Sequence, residues 1–262
     1  MERIKQALER ARAEREGQPQ PAPATEQPQP TAAEVSYTQT RTIEVPYPVQ
    51  RRQRILTAFP DSAFSNAYKI LRTQVLQRLK ENDWNVLAVT SPGSGEGKTL
   101  TALNLAASMA MEVEHTVLLI DADLRHPSLH EHLGLAAGPG LSDYLLDDVP
   151  LSELLIHPKA LSHLTILPGG RALQNSAEML NSPKMSRLVE ETKSRYPGRI
   201  VVFDLPPVLK AADALAFSPY VDAALLVVEE GGTRRQDVER AVELLSSTNV
   251  LGTVLNKAGS TS

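Results

Sequence analysis

The residues best placed to do chemistry lie between Ser91 and Leu100, in SPGSGEGKTL, and in two later runs that end in aspartate. Seven residues, Ser91 to Gly97, hold three glycines and a proline, so this is a loop whose backbone can come close to a ligand. Before it stands the apolar, β-branched run Val86–Thr90, a buried strand. After it, Thr99 onward is rich in Leu and Ala, a helix. Strand, glycine loop, Lys-Thr and helix form a phosphate-binding loop. The N–H groups of Gly93, Ser94, Gly95, Glu96, Gly97, Lys98, Thr99 and Leu100 would cradle phosphates at a helix N-terminus. Lys98, facing solvent or phosphate, would neutralise the β- and γ-phosphates, and the Thr99 hydroxyl would meet Mg²⁺. The usual spacing G-x-x-x-x-G-K-[ST] puts its first glycine at Pro92; here Gly93 comes one residue late.

The second run, Thr116–Asp121, is a buried strand that continues as D-A-D-L-R, Asp121 to Arg125. Two carboxylates and an arginine at the carboxyl end of a parallel strand lie where doubly wound sheets bind ligands. Alternate strand residues share a face, so Asp121 and Asp123 could point together toward a metal-bound phosphate. The third run, Arg199–Asp204, is an apolar strand ending in an acid, the pattern whose carboxylate supports Mg²⁺. The last strand, Val250–Asn256, ends in Asn256-Lys257, like the start of a guanine-reading N-K-x-D, which makes Asn256 a candidate cofactor-binding residue. Gly259 stands where the carboxylate would be, which favours ATP over GTP.

Strands alternating with helical stretches give an α/β class: a doubly wound, mainly parallel sheet of the P-loop NTPase type. Residues 1–16 read as a short helix, with Met1, Ile4, Leu8 and Ala11 at helical spacing. Residues 17–59 read as a Pro/Gln-rich linker and a disordered, extended arm that cannot build a core. The folded domain is expected over 60–262. Of 262 residues none is cysteine, which excludes disulfides and thiolate chemistry and fits a reducing, cytoplasmic compartment. A net charge of −4 argues against nucleic-acid binding. His126, His130 and His132 complete no recognised metal spacing.

Three motifs narrow the class: SPGSGEGKT at 91–99, LLIDADLR at 118–125 and VVFDLPP at 201–207. Together they resemble the bacterial tyrosine kinases (BY-kinases) of capsule and exopolysaccharide production, over about Ser65 to Lys257. The wording from Thr101 to Ser128 is similar to the autokinases encoded beside exosortase and exopolysaccharide loci. The resemblance implies a protein-tyrosine autokinase using ATP and Mg²⁺. Lys98 would contact phosphates, Thr99 and Asp123 would hold the metal, and Asp204 would support it through water. Asp121 would lie near the incoming tyrosine hydroxyl, and Arg125 would complete the motif. The partner implied is an inner-membrane polysaccharide co-polymerase, the chain-length regulator, which would bring the kinase to the membrane as a peripheral protein; self-association is also implied. The chain departs from the family at Ser94, commonly proline, and Leu205, commonly threonine or serine. Asn66, Lys69 and Arg72 stand where the oligomerising helix carries E-x-x-R-x-x-R. No tyrosine follows Tyr220, so Tyr37 and Tyr47, in the arm, are the candidate phosphoacceptors. Two other functions fit a P-loop domain: a partition- or septum-type ATPase switch, whose signature lysine is replaced here by Gly93, and a nucleotide-gated scaffold without tyrosine transfer.

Overall fold

The strands whose carboxyl ends meet are those that carry the aspartates. In the computed structural model, which describes residues 40–112, 115–194 and 198–259, eight strands form one sheet. They are β1 (Arg41–Ile43), β2 (Val86–Thr90), β3 (Thr116–Asp121), β4 (Ile156–Pro158), β5 (Leu164–Leu167), β6 (Arg199–Asp204), β7 (Ala223–Glu229) and β8 (Asn249–Asn256). Their order is β1-β4-β5-β3-β6-β2-β7-β8. Every pairing is parallel except β4 with β5. The helices are α1 (Tyr47–Arg52), α2 (Ala63–Glu81), α3 (Lys98–Ala110), α4 (Leu129–His132), α5 (Leu141–Asp147), α6 (Leu151–Leu154), α7 (Ser176–Leu180), α8 (Pro183–Ser194), α9 (Asp213–Phe217) and α10 (Arg235–Leu244).

Alternation along the strands sends side chains to two cores. Leu87, Val89, Leu119 and Val202 pack on one face with Leu103 and Met109 of α3. Val86, Ala88, Ile120, Val201 and Phe203 pack on the other with Met185 and Leu188 of α8. Because both faces are covered, these strands are apolar throughout rather than alternating. The doubly wound architecture thus follows from the same runs that carry the motifs. β2, β6 and β3 lie side by side, and their register sets Asp121 opposite Asp204 and Val89 opposite the same Asp204.

The ordered structure begins earlier than residue 60. β1 pairs with β4, and Ile43, Ile55, Leu56 and Ala58 are buried in the core. Asn104 on α3 anchors this entry segment: its Nδ2 donates to the Arg54 carbonyl at 2.9 Å, and its Oδ1 accepts from the Leu56 N–H at 2.8 Å. The stretch 40–58 is therefore part of the domain rather than a disordered arm. A three-residue strand and a six-residue helix carry too little periodicity to be read from sequence; pairing with β4 holds the strand, and Asn104 of α3 holds the chain that follows the helix. The expected helix at 1–16 and the linker up to 39, with Tyr37, lie outside the described residues. Leu56, 1% exposed, gives a check. Leu56→Ala should cost about 2–5 kcal/mol in urea unfolding; a loss under about 1 kcal/mol would place the segment outside the core.

Arg72 on α2 is turned inward. It donates to the Ser108 carbonyl at 3.0 Å and pairs with Glu112 at 2.9 Å, so it braces α2 on α3.

Candidate functional site

The loop after β2 enters α3 at Lys98, through Gly97 at φ 92°, a left-handed conformation that favours glycine. A Cβ at Gly97 would lie 2.1 Å from Asn256 Nδ2, so only glycine lets β8's last residue approach the loop. The Asn256 amide donates to the Glu96 carbonyl at 2.8 Å. Asn256 and Glu96, both expected to bind cofactor, are here in contact with each other.

Behind the loop, one cation meets two carboxylates, with a third close by. Lys98 Nζ lies 2.9 Å from Asp123 Oδ2 and 3.2 Å from Asp204 Oδ1. Thr99 donates its hydroxyl to Asp204 Oδ2 at 2.6 Å. The Lys98 side chain is 12% exposed and Asp204 is wholly buried. Lys98 is thus enclosed by its counter-ions, which corrects the solvent-facing alternative of the sequence expectation. Burial alone would lower its pKa, but Asp204 and Asp123 outweigh burial and hold the ammonium charged well above its usual range.

Asp121 is also fully buried. Its Oδ2 accepts the N–H groups of Ser128 at 3.0 Å and Leu129 at 2.9 Å, and its Oδ1 accepts that of Asp123 at 3.2 Å. Burial, joined by the charge of Asp204, pushes its carboxyl up to about 7, against the Leu129 N–H and Lys98. Burial raises Asp204 as well, opposed by Lys98 and Thr99. The physical cause is the count: three buried carboxylates share one ammonium, so negative charge is left over.

That surplus fits a divalent cation. A positive nitrogen already sits among two carboxylates and a hydroxyl, all oxygen donors of the kind hard cations take. Among the described residues no group of three or more His, Cys, Asp or Glu is arranged to hold a metal without other ligands. Mg²⁺ normally uses one or two carboxylates and completes its shell with phosphates and water.

Of the expected residues, Lys98, Thr99, Asp121, Asp123 and Asp204 come together. Arg125 does not join them: its Nε donates to the buried Asp213 of α9 at 3.0 Å. That pairing fastens the D-A-D-L-R turn to α9. Tyr47, expected in the arm, is the first residue of α1, 56% exposed and 3.4 Å from Arg51 Nη1. Sequence reasoning missed Ser128, whose N–H holds Asp121 and whose hydroxyl lies 3.5 Å from that of Thr99. Its position after Pro127, before a helix, signals a cap but no chemistry. It also missed Thr233 and Asp213, which belong to no motif.

Residues 87–262 match a family model, the CobQ/CobB/MinD/ParA nucleotide binding domain. The chain is 34% identical over 210 residues to tyrosine-protein kinase YwqD of Bacillus subtilis (strain 168), covering 79% of this chain and 87% of that protein. It is 35% identical over 215 residues to succinoglycan biosynthesis transport protein ExoP of Rhizobium meliloti (strain 1021), covering 80% of this chain and 27% of that protein. The kinase domain of Escherichia coli tyrosine kinase ETK superposes with a TM-score of 0.72 at 28% identity, over 85% of each chain.

Proposed function

The chain belongs to the CobQ/CobB/MinD/ParA nucleotide-binding family and, within it, to the bacterial tyrosine kinases, and from that premise we propose that it transfers the γ-phosphoryl group of Mg-ATP to tyrosine in the control of exopolysaccharide assembly and export. The observation that carries this reading is the closed cluster of Lys98, Thr99, Asp123 and Asp204 beside Asp121. A nucleotide-binding domain needs the first four; a kinase also needs a group that can take a proton from the acceptor. When bound, Mg-ATP supplies the phosphoryl group and shields its charge. The backbone of residues 94–100 and the Lys98 ammonium would orient the phosphates, the Gly93 N–H being taken by Glu96, while Thr99, Asp123 and Asp204 are the residues that would hold the metal. Asp121, poised near neutrality, would accept the tyrosine proton as the O–P bond forms and ADP leaves. Incubation of the purified protein with labelled ATP, followed by assay of phosphotyrosine and free phosphate, tests this. Free phosphate without phosphotyrosine, with a polysaccharide co-polymerase present, would favour an ATPase switch.

The partner in this reading is an inner-membrane polysaccharide co-polymerase, and the kinase works at the cytoplasmic face through it. The likeness to a protein named for succinoglycan transport supports that placement. Among the described residues no helix is long and apolar enough to cross a membrane.

The acceptors we propose are Tyr37 and Tyr47, on a second copy of the chain. In-line transfer needs a hydroxyl that can reach the γ-phosphate. Tyr47 is exposed, whereas Tyr68 is buried, the Tyr220 hydroxyl donates to Asn181, and the Tyr144 ring lies 4.8 Å beneath Lys184. The Tyr37→Phe/Tyr47→Phe variant should lose most phosphotyrosine while retaining ATP binding. Full-level phosphotyrosine in that variant would assign the acceptor elsewhere.

A further inference from the structure

We propose that Glu96 is a positioning residue for nucleotide binding: with Thr233 and Asn256 it forms a clasp that holds the phosphate loop in shape from the side opposite Lys98. The proposal rests on the nucleotide-site reading above. Glu96 is 6% exposed, although it lies in a glycine-rich loop at the carboxyl end of an interior strand. Buried carboxylates need partners, and each of its oxygens has one. Oε2 accepts the Gly93 N–H at 2.8 Å, and Oε1 accepts the Thr233 hydroxyl. The Thr233 oxygen in turn accepts the Glu229 N–H at 2.9 Å, tying the clasp to the end of β7. The Glu96 carbonyl accepts from Asn256 at 2.8 Å, tying it to the end of β8. β7 and β8 are paired in register at this point, Glu229 with Asn256.

The loop is therefore held from two directions. Lys98 and Thr99 fasten its end to β6 and to the turn after β3 through Asp204 and Asp123. Glu96 fastens its middle to β7 and β8, on residues 137 and 160 positions away in the chain. The Gly93 N–H, which a phosphate cradle would otherwise use, is spent inside the loop. This loop lacks glycine at its usual first position, Pro92, and the Glu96–Gly93 bond closes the turn that such a glycine would shape. A loop held in shape before the ligand arrives loses less freedom on binding, so the clasp acts on affinity.

The test measures ADP binding with Mg²⁺ by calorimetry, together with ATP kinetics, on the full chain. Glu96→Ala should weaken ADP binding about tenfold, the scale of losing hydrogen bonds to a charged group. KM for ATP should rise by a similar factor while kcat at saturating ATP changes less than about threefold. Glu96→Gln keeps one acceptor and one donor, and should recover most of the affinity. Thr233→Val should weaken binding about threefold, and clearly less than that when added to Glu96→Ala, because their shared contact is already lost there and only the Glu229 N–H bond remains to lose. ADP affinity unchanged in folded Glu96→Ala, or losses that multiply in the double variant, would overturn the clasp. So would an affinity loss that simply tracks a fall in melting temperature across the four variants. A wild-type chain that binds no ADP would overturn the nucleotide site itself, and the clasp with it.

Discussion

Lys98→Met is expected to cut ATP turnover by about 10²–10³-fold or more and to destabilise the empty protein. The first effect is loss of a positive group from the phosphates. The second follows from the enclosure of Lys98 by Asp123 and Asp204. Without the ammonium, three buried carboxylates face one another with no counter-ion. Removing one partner of a buried pair costs on the order of 3–5 kcal/mol, because the charge left behind is unpaired. The pH dependence has a definite sign. Asp121 and Asp204 are raised in the folded chain, so the native state holds more protons than the unfolded one between about pH 4 and the folded values. Stability falls as pH rises through that window. In Lys98→Met the carboxylates rise further, so the fall should be steeper and should extend beyond pH 7. Thermal unfolding from pH 5 to pH 9 reads this directly. Equal pH slopes in variant and wild type would mean that Lys98 does not neutralise the cluster.

Much of this site is legible in the chain because each motif is a strand end. TVLLID and RIVVFD occupy β3 and β6 with the bounds their apolar runs suggest, and the β2 run is bounded by the same logic. Parallel pairing then brings their carboxyl ends together without further information. What the chain does not show is how side chains divide the available partners. Arg125 has the type and spacing of a phosphate ligand, but a buried carboxylate 88 residues later claims it. Glu96 looks like part of a cradle and is a strut, because Thr233 lies within reach only after the sheet has formed. The entry segment fails to read for a related reason. Its strand has three residues, and Asn104, which holds the segment in place, sits in a helix whose pattern is that of its own core. Long-range pairing decides such short elements, and no local period encodes it.

Asp121→Asn separates phosphoryl transfer from nucleotide binding. Asparagine keeps the shape and can still accept the Ser128 and Leu129 N–H groups through its carbonyl oxygen, losing only the bond from the Asp123 N–H. It cannot accept a proton. Tyrosine phosphorylation is therefore expected to fall by about 10²–10⁴-fold, the range supplied by a positioned base. ADP affinity should stay within about threefold, since Asp121 makes no contact with Thr99 that binding would lose. In this structure the carboxylate is buried behind the Ser128–Leu129 backbone, so the acceptor hydroxyl reaches it only as that segment gives way. A carboxyl near 7 is half-ionised at neutral pH, so the wild-type rate of transfer should climb between about pH 6 and pH 8 as Asp121 loses its proton. The same titration lowers stability over that interval, giving opposite slopes for rate and for melting temperature from one group. In Asp121→Asn both slopes should flatten together. If the stability slope flattens while the rate keeps its full pH dependence and most of its magnitude, Asp121 is the clamp of the D-A-D-L-R turn and the proton goes elsewhere.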